Sequence, residues 1–103
     1  MGMERVVSFT GSAPSWPAIR DQLAAAGIDS QMRMIDNMPA FPDEEPEEGW
    51  KELRLGVAAG MVTLRREAGR IRVVVWGNAD SALQREQEAV ARACADAGSG
   101  VVS

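Results

Sequence analysis

The sequence contains no histidine and no tyrosine, and only one cysteine, Cys94. Without histidine the commonest general base, the commonest transition-metal ligand and every histidine-containing triad are gone. The lone cysteine cannot form an internal disulfide. It falls on the apolar stripe of a helical pattern near the C-terminus, so it is expected as a small buried residue. A nucleophilic thiol needs an exposed, electropositive setting. No apolar run near the N-terminus resembles a signal peptide, and none approaches the ~20 residues that span a bilayer. The chain opens Met-Gly-Met, and Val6 stands where a myristoylation signal carries Ser or Thr. Met1-Gly2 reads as a cloning remnant before a natural start at Met3. The simplest expectation is a cytoplasmic protein of bacterial type with no membrane partner.

What is present is an ordinary globular composition, 46% hydrophobic and 25% charged over 103 residues, enough for one domain with a single modest core. The formal charge is −4. Five carboxylates, Asp43, Glu44, Glu45, Glu47 and Glu48, sit within the stretch FPDEEPEEGW. The remainder has 11 basic against 10 acidic residues. The chain is therefore a near-neutral domain with one acidic loop, and its charge argues against a nucleic-acid partner without excluding a local basic patch.

Residues 4–9 are β-prone and end at Thr10-Gly11-Ser12. A helix is predicted over 15–26: Ser15 is placed to cap it, Pro17 falls in its first turn, and Trp16, Ile19, Leu23 and Ala26 repeat at helical spacing. Gly27 suits the left-handed position past its end, with Ile28 packing back. Residues 30–36 alternate as a strand that puts Met32 and Met34 on one face. Residues 37–49, with three prolines and the acidic run, fit no regular element and form a long loop. A helix follows Gly77, with Asn78, Asp80 or Ser81 as cap, a capping box from Ser81 to Gln84, and Leu83, Val90, Cys94 and Ala97 inward. Gly98 ends it. The terminal GVVS is either a frayed tail or one more short strand.

Between loop and second helix lie three alternating runs, WKELRLG, GMVTLRRE and RIRVVVWG. A two-residue turn at Ala68-Gly69 pairs Leu64 with Val73 and Arg66 with Ile71. A four-residue turn at 56–59 pairs Leu53 with Val62. Both turns give one apolar face of Leu53, Val62, Leu64, Ile71, Val73 and Val75, which a one-residue slip would scatter. The predicted fold is α+β: an antiparallel sheet of about five strands in the order β-α-β-β-β-β-α, with two helices on one face. This order resembles one repeat of a TATA-binding-protein-like or helix-grip fold, a likeness of topology that carries no function. A ferredoxin-like sandwich with an extra hairpin is the alternative.

The opposite face holds the candidate binding residues. The same register gives three cross-strand rows: Trp50, Arg65, Arg72; Glu52, Thr63, Val74; and Arg54, Met61, Trp76. Strand 30–36 adds Arg33 and Ile35. Arg65 directly opposite Arg72 is unfavourable unless something offsets the two charges. The candidates are Trp50 through a cation–π contact, a bound anion, a partner, or the acidic loop folded back across the face with Phe41 over Met61 or Trp76. Against a docked loop stands the small worth of surface ion pairs, under ~1 kcal/mol each, so a loose loop is the favoured alternative.

The carboxylates of the loop lack the ordered oxygen spacing and turn glycine of an EF-hand, which argues against a metal site. Paired-carboxylate catalysis needs fixed separations on rigid elements, which the loop does not offer. Thr10-Gly11-Ser12 lacks both the Walker lysine and the GxGxxG glycines, and reads as an ordinary turn and helix cap. No cofactor motif is present. The best-supported reading is a non-enzymatic interaction module using Trp50, Arg54, Met61, Arg65, Arg72 and Trp76. Its occupant would be a protein partner or a second copy in a homodimer. A small anionic or aromatic ligand on the same face is the alternative. Single-stranded nucleic acid on the sheet is opposed by the charge balance.

Overall fold

The computed structural model describes residues 3–77 and 79–103. The readings of Met1-Gly2 as a remnant and of Asn78 as a cap lie outside the described residues. In chain order the elements are β1 (Met3–Ser8), α1 (Trp16–Ala25), β2 (Gln31–Ile35), β3 (Met38–Pro39), β4 (Glu52–Val57), β5 (Gly60–Glu67), β6 (Arg70–Val75), α2 (Ser81–Gly98) and β7 (Val101–Val102). Every strand pairing is antiparallel, in one open sheet ordered β3-β2-β4-β5-β6-β1-β7. The α+β class and the two helices packed on one face agree with the sequence reading. The sheet has seven strands rather than about five. The two extra strands, β3 and β7, are two-residue edges. Short edges, one of them carrying Pro39, offer little backbone for pairing with another sheet.

The turns account for the register. Asp36 and Asn37 both have positive φ (48° and 71°), the requirement of a two-residue hairpin of the I′ type, and they fold β3 back on β2. Ala68-Gly69 joins β5 to β6 as predicted, with Gly69 at φ 71°. The β4–β5 turn is shorter than predicted. Val57 pairs with Gly60, so the turn is Ala58-Ala59 and Leu53 faces Leu64, not Val62. A two-residue slide keeps side chains on their faces, so the apolar row survives and gains Leu55 opposite Val62. The outward rows change: Glu52 now faces Arg65, Arg54 faces Thr63, and Gly56 faces Met61.

β2 carries a bulge. Met32 pairs with Leu55 and Met34 with Arg54, which leaves Arg33 as the extra residue. The two methionines therefore part: Met32 is buried in the core, and Met34 joins Arg54 on the open face. Ile35, opposite Leu53, belongs to the core side rather than the open face. The Arg33 side chain lies over Gly56, where an added Cβ would come 2.8 Å from Arg33 Nε.

Both helices close the core from one side. In α1, Trp16, Ile19 and Leu23 are buried. Gly27 adopts φ 75° and Ile28 N donates to Leu23 O at 2.9 Å, the expected ending. Ser15 is the capping residue by position, but its side chain makes no capping bond. In α2, Asp80 is the cap, accepting from Leu83 N at 2.9 Å. Gln84 reaches Ala79 O instead of completing a capping box with Ser81. Gln87, buried among apolar residues, donates to Met3 O and Val73 O and so ties α2 to the sheet. At the far end the left-handed residue is Ser99, φ 55°, not glycine. Gly98 and Gly100 serve close approach: a Cβ on either would meet the Phe9 ring at 2.9 Å or less.

At Gly100 the added Cβ would also meet Ser8 O at 2.8 Å. Gly100→Ala is therefore expected to lower stability by about 1–3 kcal/mol through overpacking. Gly49→Ala, where a Cβ meets nothing within 4 Å, is expected to be near neutral. Urea unfolding midpoints measure both, and equal midpoints would mean the Phe9 contact is slack.

Candidate functional site

The face of the sheet away from the helices is built by alternate residues of β1, β2, β4, β5 and β6. Two of its residues, Thr63 and Val74, are paired across β5 and β6 and are only 2% and 3% exposed. Such burial on a face without helices requires a local cover. Trp76, just past β6, and Arg65 supply it: the Arg65 guanidinium stands 5.2 Å from the centre of the Trp76 ring. Their register positions lie on either side of the Thr63–Val74 pair, so the stack passes over that pair. Trp76 remains 53% exposed and Met61 45%. Arg54, Met61, Thr63, Trp76 and Leu83 line a groove of about 440 Å³ beside the stack.

Arg65 and Arg72 face each other, as predicted. The acidic loop does not offset them. Arg65 is 3.5 Å from Glu52, its opposite residue on β4. Arg72 pairs with Glu4 on β1 at 2.7 Å and with Glu67 on its own hairpin. The hydrogen bond from Arg72 holds the Glu67 carboxyl below the usual carboxylate range, and the same bond raises Arg72 further. Arg70 reaches Glu67 at 3.1 Å. The face is thus a lattice of arginines and glutamates drawn from neighbouring strands.

Trp50 is not on this face. It is 2% exposed and belongs to the core. β4 begins only at Glu52, so Trp50 precedes the strand and escapes its alternation, and its own cation is Arg66, 4.3 Å from the ring centre. Arg66 Nε donates to Trp50 O at 2.9 Å, and Nη2 donates to Glu48 O. Burial lowers the pKa of Arg66, and the more distant Asp36 carboxylate partly opposes that shift. Asp36 Oδ1 accepts from the amides of Lys51 and Glu52 at 2.8 Å each, fixing the start of β4. Arg66 was visible in the sequence as an arginine in the apolar row opposite Ile71; that anomaly was the signal of its role.

The acidic loop is docked, but on the helix side. Glu45 pairs with Arg20 of α1, Pro42 O accepts from Met32 N at 3.0 Å, and Ala40 N donates to Arg33 O at 3.0 Å. Glu44 accepts from Phe41 N, and Trp50 N donates to Glu47 O. Phe41 is exposed and covers neither Met61 nor Trp76. Asp43, Glu44, Glu45, Glu47 and Glu48 therefore stand apart from Arg54, Met61, Arg65, Arg72 and Trp76, which the open face does bring together.

Among the described residues no three of His, Cys, Asp and Glu converge as metal ligands. Cys94 is buried, and burial pushes its thiol up to about 12, so it is neutral at ordinary pH. Among the described residues no helix is long and apolar enough to cross a membrane. The chain matches no family model, no curated protein and no solved structure.

Because the folded value of Glu67 is depressed, its contribution to stability is present above the ordinary carboxylate range. It is lost as pH falls through the folded value. The stability difference between the natural chain and Glu67→Gln is expected to be full near pH ~7 and to vanish in stronger acid, measured by urea unfolding across pH. A difference that does not vary with pH would contradict the Glu67–Arg72 pairing.

Proposed function

We propose that the chain is a non-enzymatic interaction module whose open sheet face binds a segment of another protein carrying acidic and apolar side chains. The single observation behind this reading is Trp76: an indole half exposed, stacked under Arg65 and bordering the groove with Met61 and Arg54. Tryptophan, methionine and arginine are the residue types enriched where binding energy concentrates. The face carries Arg33, Arg54, Arg65, Arg70 and Arg72 against Glu4, Glu52 and Glu67, while the whole chain is at −4. That local excess of cations favours an acidic segment and speeds its encounter. The lack of histidine and tyrosine supports a binding role over catalysis, and one buried thiol fits a cytoplasmic setting.

A second copy is the rival occupant, since the chain's own Phe41–Glu48 stretch has the required chemistry and an exposed phenylalanine. A small aromatic carboxylate is the other rival. The groove volume of about 440 Å³ lies in the range of small-molecule sites, and Arg54 at its wall supplies a cation.

The test is a fluorescence titration with short peptides that place Phe or Leu between Asp and Glu. Trp16 and Trp50 are buried, so changes on the surface report Trp76. A saturable blue shift is expected, weakened by salt, and lost in Trp76→Ala and in Arg54→Glu. No shift at millimolar peptide contradicts the reading. Sedimentation that grows heavier with concentration transfers the face to a homodimer.

A further inference from the structure

A second cleft lies away from the groove. It is about 740 Å³ and is lined by the Gly11-Ser12-Ala13 turn before α1, by Gly49-Trp50-Lys51, and by residues 66–69 of the β5–β6 hairpin. Seven of the 11 basic residues of the chain have a carboxylate oxygen within 4.0 Å. Among the described residues, Arg33, Lys51, Arg66 and Arg85 have none, and two of these four, Lys51 and Arg66, line this cavity. The one acidic residue in its wall, Glu67, is already paired with Arg70 and Arg72.

The cavity also holds unused donors. Arg66 spends Nε and Nη2 on the carbonyls of Trp50 and Glu48, which fixes the guanidinium plane and leaves Nη1 without a protein acceptor among the described residues. Among the described residues the amides of Gly11, Ser12 and Ala13 have no backbone acceptor. Behind the wall, Trp50 Nε1 is buried and has no acceptor among the described residues. Lys51 and the fixed Arg66 guanidinium, neither with a carboxylate within 4.0 Å among the described residues, give the cleft a cationic wall, and a fixed guanidinium favours phosphate oxygens.

We propose that this cleft binds a phosphate group carried on a small molecule. Arg66 is the pre-oriented fork, Lys51 the mobile point charge, and the Gly11-Ser12-Ala13 amides the backbone donors. The site shares no residue with the groove at Trp76, and its occupancy does not depend on the function proposed above.

The experiment uses the ¹⁵N-labelled full chain titrated with inorganic phosphate, with glycerol phosphate, and with sodium chloride at matched ionic strength. Saturable shifts are expected at the amides of Gly11, Ser12, Ala13 and Gly69 and at the Trp50 indole N–H, while Met61, Thr63 and Trp76 stay in place. Glycerol phosphate is expected to bind more tightly than phosphate. Equal affinity would keep the site and assign it to free phosphate. Lys51→Gln, whose side chain makes no ion pair, is expected to weaken binding by about tenfold with the fold intact. Arg66→Lys keeps the charge and loses the fork; it is expected to weaken binding at least as much, with near-ultraviolet circular dichroism as the check on folding. Shifts that rise linearly and are reproduced by sodium chloride would overturn the proposal. So would saturable binding that Lys51→Gln leaves unchanged.

Discussion

The contact between Trp50 and Arg66 decides which face of the sheet is free. The indole fills the end of the core, the guanidinium covers it at 4.3 Å, and the same guanidinium holds the carbonyls of Trp50 and Glu48. A cation–π contact at a partly exposed site is worth about 0.5–1 kcal/mol. Hydrogen bonds from a charged donor add about 1.5–3 kcal/mol each. Surface ion pairs are worth under ~1 kcal/mol. The clamp at the loop's end therefore outweighs any attraction of its carboxylates for the arginines on the far face. With that end fixed on the helix side, the Glu45–Arg20 pair and the Pro42–Met32 bond complete the docking.

A consequence is that the open face must balance its own charge, and it does so from neighbouring strands. Glu52 stands opposite Arg65, while Glu4 and Glu67 bracket Arg72. Each pair is weak alone, and Arg65 is also held by the Trp76 ring. The Arg65–Trp76 stack flanks the buried Thr63–Val74 pair, a small second cluster opposite the main core. Its outer surface is still half open, which is what sets this patch apart from a merely solvated sheet face.

Much of this was legible in the residues. Alternation fixed the buried side of the meander, and Gly27-Ile28 marked the end of α1. What stayed hidden has physical causes. A slide of two residues preserves alternation, so the pattern cannot separate a four-residue turn from Ala58-Ala59. The slide nonetheless put Glu52, not Trp50, opposite Arg65. The bulge at Arg33 leaves no trace in hydrophobicity, yet it sends Met32 and Met34 to opposite faces. The Asp36-Asn37 turn was readable from its residue types but was overshadowed by the prolines after it. Arg66 in the apolar row was readable too: a charge there needs a reason, and Trp50 is that reason.

The acidic loop is held on the helix side of the sheet. The direct measurement compares two-dimensional amide spectra of the natural chain and of a chain with Asp43–Glu48 replaced by Gly/Ser. The predicted result is movement around Arg20 of α1 and at Met32 and Arg33 of β2, with Met61, Thr63, Arg65, Arg72 and Trp76 unchanged. Movement at Arg65, Arg72 and Trp76 with α1 unchanged would place the loop on the open face instead.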